Sequence, residues 1–201
     1  MSAEKRVYTL LVWCLLLITI SCGADHDVEH VRDYRLYVET KDPQIMATLE
    51  LLVQKFNQDI DHKILTLVRQ KEGTSSQIIF EEGLREKNNK LGMAQWTTKT
   101  SFRSEGVIPQ YRSIHQRVVY GMHIFFDYEN FKRKAQLADH NQAAFDHLYH
   151  LFCHEVGHGL QMEHADHPGE IMYPVITNDP QNHLDFQTFF AKAQAILQIR
   201  R

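Results

Sequence analysis

The 201-residue chain has three cysteines, Cys14, Cys22 and Cys153. That is too few for a disulfide framework, so the fold must rest on a buried apolar core. An excess of charge is also lacking. Lys and Arg number 22 against 25 Asp and Glu, a net charge of −3, which leaves no electrostatic footprint for nucleic acid. There is no internal repeat and no low-complexity tract. An apolar fraction of 43% with 23% charged residues excludes disorder, collagen and coiled coil. No apolar run reaches the ~20 residues that span a bilayer comfortably. The length fits one domain, or one domain with a short appendage. What the chain has in excess is histidine, thirteen of them.

Lys5 and Arg6 precede an uncharged run from Val7 to Ile20, densest over Leu10 to Ile18. A basic segment before a short apolar core reads as an export signal. The following Thr19-Ile20-Ser21-Cys22-Gly23 resembles a bacterial lipobox, with Thr19 where Leu is preferred. Lipidation would make Cys22 the first mature residue and its lipid anchor. Cleavage after Ala24 and plain secretion, or an uncleaved anchor, are the alternatives. The expected layout is a signal peptide over 1–21, a polar tether over 22–30 and a single domain over 31–201. The expected location is the bacterial cell envelope as a lipoprotein, or else the periplasm or exterior as a soluble protein. Membrane contact is expected only through Cys22, and the form is expected to be monomeric. Cys153 would then be the one unmodified thiol, a buried and inert one, and no intrachain disulfide is expected.

Tyr34 to Val38 alternates like a strand, and Pro43 opens a helical pattern of Ile45, Met46, Leu49, Leu52, Val53 and Phe56. Ile64–Val68, Gln77–Phe80, Leu91–Thr97 and Val118–Phe126 read as strands. Residues 83–90 read as a charged loop and 98–117 as a long polar excursion. Asn141 to Leu160 and Asp185 to Ile199 read as helices, the second with Phe186, Phe189, Phe190, Ala193 and Leu197 on one side. One helix falls between the first two strands, so an α+β fold with helices packed on a twisted mixed five-stranded sheet is expected.

The chemistry lies in His154-Glu155-Val156-Gly157-His158-Gly159-Leu160-Gln161-Met162-Glu163-His164. Two histidines four apart share one helix face and can hold Zn²⁺ together. Glu155 stands beside them, placed to take a proton from water. His164 supplies a third ligand if the helix stops near Gly159 and the chain turns back, with Asp166 and His167 as nearby substitutes. Gly169-Glu170-Ile171-Met172-Tyr173-Pro174 follows.

The block from His154 to Pro174 resembles the metzincin zinc proteases, and within them the matrixins. The resemblance implies a metzincin-like domain with an N-terminal helix, an active-site helix and a C-terminal helix. It implies that His154, His158 and His164 bind one catalytic Zn²⁺ and that Glu155 is the general base. Met172 would be the turn methionine, forming an apolar floor under the metal. Met93, Ala94 and Gln95 on the edge strand, with Pro174, Val175 and Ile176, would bind an extended peptide or protein substrate. The implied reaction is endopeptidase hydrolysis of peptide bonds through a zinc-bound water. A zinc-containing binding or adhesion module of the same fold is the alternative. Gln161 stands where the family has a turn glycine, and strain is expected there. Ala165 replaces the family's usual Ser. Phe125-Phe126-Asp127 resembles the strand that holds structural metals, but a His is missing at Phe125. No second zinc is expected, and Asp127 is the only candidate ligand for Ca²⁺. His147 and His150 fall on the face of His154 and could line the cleft; otherwise they are partly exposed polar positions. Nothing between Cys22 and the first strand resembles an inhibitory pro-segment, so covalent latency is not expected.

Overall fold

The computed structural model describes residues 28–30, 33–104, 113–176 and 184–199. The segment expected to be an export signal, Cys22 and residues 177–183 lie outside the described residues. Two compact units divide the chain. One takes in 1–27 with 102–116, of which only the strand ends 102–104 and 113–116 are described. The other, Val28–Ser101 with Arg117–Arg201, holds every side chain discussed below.

Six strands form the sheet: β1 (Val28–His30), β2 (Tyr34–Val38), β3 (Leu65–Val68), β4 (Ser76–Glu81), β5 (Gly92–Ser104) and β6 (Ser113–Asp127). Their order is β1-β6-β4-β2-β3, with β5 also paired to β6. The four pairings along that path are parallel. Eight residues separate β5 from β6, fewer than the dozen or so a parallel crossover needs, so this pair is antiparallel and the sheet is mixed. At its open end the Asp127 amide donates to the Leu91 carbonyl at 3.0 Å. The α+β expectation holds, with one strand more than the five expected. β1 arises within the stretch read as a tether and pairs with Arg117–Val119. The polar excursion read over 98–117 is also shorter than expected, because β5 runs on to Ser104 and β6 starts at Ser113.

Helix α1 (Pro43–Asp59) starts where Asp42 caps the Gln44 and Ile45 amides, with Pro43 preset for the first turn. Its buried stripe of Ile45, Met46, Leu49, Leu52, Val53 and Phe56 is the one the sequence spacing predicts. A one-turn helix, α2 (Leu84–Asn88), occupies part of the stretch read as a loop. Helix α4 (Gln142–Gly159) is capped by Asn141, and α5 (Phe186–Ile196) by Asp185. Phe56 meets Phe152, Phe189 and Phe190 edge-on at 5.4–6.5 Å, joining α1, α4 and α5.

Helix α3 (Tyr128–Ala138) has no counterpart in the sequence reading. Only Asn130, Phe131 and Ala135 are buried on it, too few to print a helical period. Its anchor is Phe131, packed on Phe80 and Phe126 at 5.1 Å each. Asp127 caps it: one carboxylate oxygen accepts from the Asn130 amide at 2.9 Å, the other from the Arg85 amide at 3.0 Å. Those bonds account for the burial of the residue singled out as a calcium ligand without any cation.

Candidate metal and catalytic site

Helix α4 lies in the core, with most of its length from His147 to Gly159 buried, and delivers His154, Glu155 and His158 to one place. Its end is a Schellman turn. The Met162 amide donates to the Gly157 carbonyl and the Gln161 amide to the His158 carbonyl, both at 2.9 Å. That motif needs a left-handed residue, and Gln161 supplies it at φ +67°. A side chain there costs roughly 1–2 kcal/mol. The chain still turns back in time to bring His164 to the site. Replacing Gln161 with Gly should raise unfolding stability by about 1 kcal/mol, part of the relief being offset by a freer unfolded chain. Denaturant midpoints check this, and Gln161→Ala, which keeps a Cβ, should show no comparable gain.

The three ring nitrogens converge. His158 Nε2 lies 3.1 Å from His154 Nε2 and 3.1 Å from His164 Nε2. A carbonyl only accepts, so its partner nitrogen must carry hydrogen. His154 Nδ1 donates to the Ile171 carbonyl at 2.8 Å and His158 Nδ1 to the Met162 carbonyl at 3.0 Å. The Nε2 atoms of these two rings therefore face each other as bare lone pairs, a repulsive arrangement that a cation relieves. Zn–N bonds of ~2.0–2.1 Å at tetrahedral angles put ligand nitrogens about 3.3–3.4 Å apart, close to the spacing here. Burial pushes the His154 imidazole down to about 4, and burial also lowers His158, so both rings are neutral and ready to ligate at pH 7. His154, His158 and His164 can thus hold a metal ion, and they are the only such group of three among the described residues. Asp166 and His167, the substitutes considered for His164, are exposed and outside that group.

Beneath the histidines runs the turn 169–174. The Ile171 carbonyl accepts from His150 as well as His154, and the Ala165 amide donates to the Met172 carbonyl at 2.9 Å. The segment carrying the third histidine is thereby tied to the turn below. Met172 is buried against Gly157 of α4, where a Cβ would stand 2.3 Å from its Sδ and 3.0 Å from a Phe189 ring carbon. Gly157→Ala should therefore destabilise the protein by about 1–2 kcal/mol, overpacking outweighing the gain in helix propensity. Thermal or denaturant unfolding checks this.

Glu155 is 3% exposed, and its Oε2 is buried without a hydrogen-bond partner. Burial pushes its carboxyl up to about 8, with Lys90 drawing it back. Gly92, the first residue of β5, makes room for it: a Cβ there would lie 2.5 Å from Glu155 Oε1. A cleft of about 750 Å³ opens over these groups. Met93, Ala94, Pro174, Val175 and Ile176 are among the residues that line it. Gln95 is exposed and forms no part of its wall. Gly92 and Trp96, within the strand read over Leu91–Thr97, also line it, as do Lys90 and the α3 residues Asn130 and Arg133, which were not foreseen. His147 lines the cleft, while His150 does not. Both are buried rather than partly exposed.

A helix bearing two histidines and a glutamate, a third histidine beyond a tight turn and a buried methionine beneath define a metzincin-type site on a mixed sheet. Residues 93–189, from β5 through the Met172 turn into α5, match the model of the matrixin family of peptidases. No curated protein matches the chain. The match, with the three converging histidines, supports a metallopeptidase in general kind; the matrixin family implies zinc and peptide or protein substrates.

Proposed function

We propose that the protein is a zinc-dependent endopeptidase in which His154, His158 and His164 hold the metal and Glu155 is the general base. The observation that carries this reading is Glu155 itself. A buried carboxylate oxygen with no partner, next to three converging imidazoles and open to a cleft, is costly for stability and useful for proton transfer. When bound, zinc supplies a Lewis acid that polarises the scissile carbonyl and acidifies water. Glu155 takes the proton of the attacking water as its oxygen bonds to the carbonyl carbon. It gives that proton to the leaving amine as the C–N bond breaks. Burial of Glu155 raises its basicity. Trp96 and Val175, both large, apolar and exposed, line the cleft and offer an extended peptide apolar contacts. Export through the N-terminal segment, with anchoring at Cys22, belongs to the same proposal; mass spectrometry of the mature N-terminus checks it.

Chelation tests the reading. Hydrolysis of an unstructured protein such as casein should stop with 1,10-phenanthroline and return with stoichiometric zinc. Hydrolysis indifferent to chelation would overturn the zinc assignment.

A further inference from the structure

Beyond Glu155, the cleft continues to helix α3, where its wall is made by Asn130, Arg133, Lys134, Leu137, His147 and Leu151. His147 and Asn130 are each 7% exposed. Both ring nitrogens of His147 and the Oδ1 of Asn130 are buried without a partner. Buried polar atoms are nearly always satisfied, so three orphans in one wall mark a place where something polar docks. The charge of the cleft is one-sided. Arg85, Lys90, Arg133 and Lys134 line it, against the single carboxylate of Glu155. None of the ion pairs among the described residues engages Arg85, Lys90 or Arg133. Burial, and then Arg133 beside it, hold Lys134 below the ordinary lysine range. Burial, then Lys134, His150 and Arg133, push His147 down to about 4. His147 is therefore neutral and offers one N–H and one lone pair. An arriving anion relieves the repulsion and satisfies the His147 donor together, whereas a basic side chain meets the like charges of Arg85, Lys90 and Arg133.

We propose that the α3 end of the cleft is a specificity pocket for an acidic side chain of the substrate close to the scissile bond, its carboxylate paired with Arg133 and hydrogen-bonded by His147. Leu137 and Leu151 offer apolar contact to the methylenes of such a side chain, which favours Glu over Asp. Arg133, exposed on α3, is the specificity-determining residue. The pocket rests on the endopeptidase reading above, and its test separates the two.

The zinc-loaded full chain is given a peptide library in which each position flanking the scissile bond carries Glu, Gln, Leu or Lys in turn. At one position Glu should exceed Gln by about tenfold or more in kcat/KM. Arg133→Gln should bring the Glu-to-Gln ratio close to one, and Arg133→Glu should invert it so that Gln exceeds Glu. A second readout does not depend on turnover. Binding of acetyl-Leu-Glu-Leu amide and its Gln counterpart is followed through the His147 ring resonances, and the Glu peptide should bind about tenfold tighter. If no peptide is cut but the Glu peptide binds preferentially through His147, the pocket stands and the peptidase reading fails. If peptides are cut while Glu and Gln are treated alike in both readouts, the pocket is overturned and the peptidase stands. If nothing is cut and the two bind alike, both are overturned.

Discussion

Glu155→Ala should lower kcat by about 10³–10⁴ while the purified protein still holds one zinc per chain. The size of the effect follows from the isolation of the carboxylate. Among the described residues no other acidic group lines the cleft, so nothing nearby can take over the proton. The metal is retained because the histidine nitrogens that converge on it are oriented by the Ile171 and Met162 carbonyls, not by Glu155. Activity is read with a fluorogenic peptide and zinc by atomic absorption. Loss of both together would mean that Glu155 organises the site rather than acting in it. Glu155→Gln adds a check with a defined sign. In the metal-free chain the Glu155 carboxyl is raised by burial from 4.5 to about 8, so between those values the folded state binds more protons than the unfolded state. Its contribution to stability therefore declines as pH rises from about 4.5 to about 8. The Gln variant lacks that decline, and denaturant midpoints of the metal-free proteins across this window should diverge, with the variant the more stable at pH 8.

His158→Ala should lose zinc and activity together. His158 is the middle of the three, with its Nε2 3.1 Å from each of the others, so its removal leaves two ligands with no bridge between them. Loss of even an outer partner of a ligating histidine costs about 10–100-fold in metal affinity, and loss of the ligand itself should exceed that. Competition with a chromophoric chelator measures the affinity, and residual activity should track zinc occupancy. Helix content should stay unchanged, because the buried residues that seat α4, among them Leu148, Leu151, Phe152 and Val156, are untouched. A variant that keeps full zinc affinity would remove His158 from the ligand set.

The site was legible because its parts are close in sequence. A spacing of four on a helix fixes His154 and His158 on one face whatever the rest of the fold does. The starts of α1, α4 and α5 were equally readable, the first from Pro43, the others at Asn141 and Asp185, and the structure shows Asp42, Asn141 and Asp185 capping them. Gln161 was legible as a point of strain but not as a solution. Only the folded turn shows that the left-handed backbone is reached and that His164 arrives. Helix α3 was not legible, because one aromatic residue and one cap hold it and its apolar period is too sparse.

By itself the sequence determined the class of chemistry: two imidazoles and a carboxylate on one helix turn, a third imidazole six residues on, and a methionine turn after it. Helix pitch alone sets the placement of the first three. Only the tertiary structure decided what surrounds them. Gly92 clears space for Glu155 from 63 positions away, Gly157 admits Met172, and α3 brings Arg133 and Asn130 alongside His147 to form the far end of the cleft. Such contacts join residues distant in the chain through the packing of the core, and no local pattern encodes them.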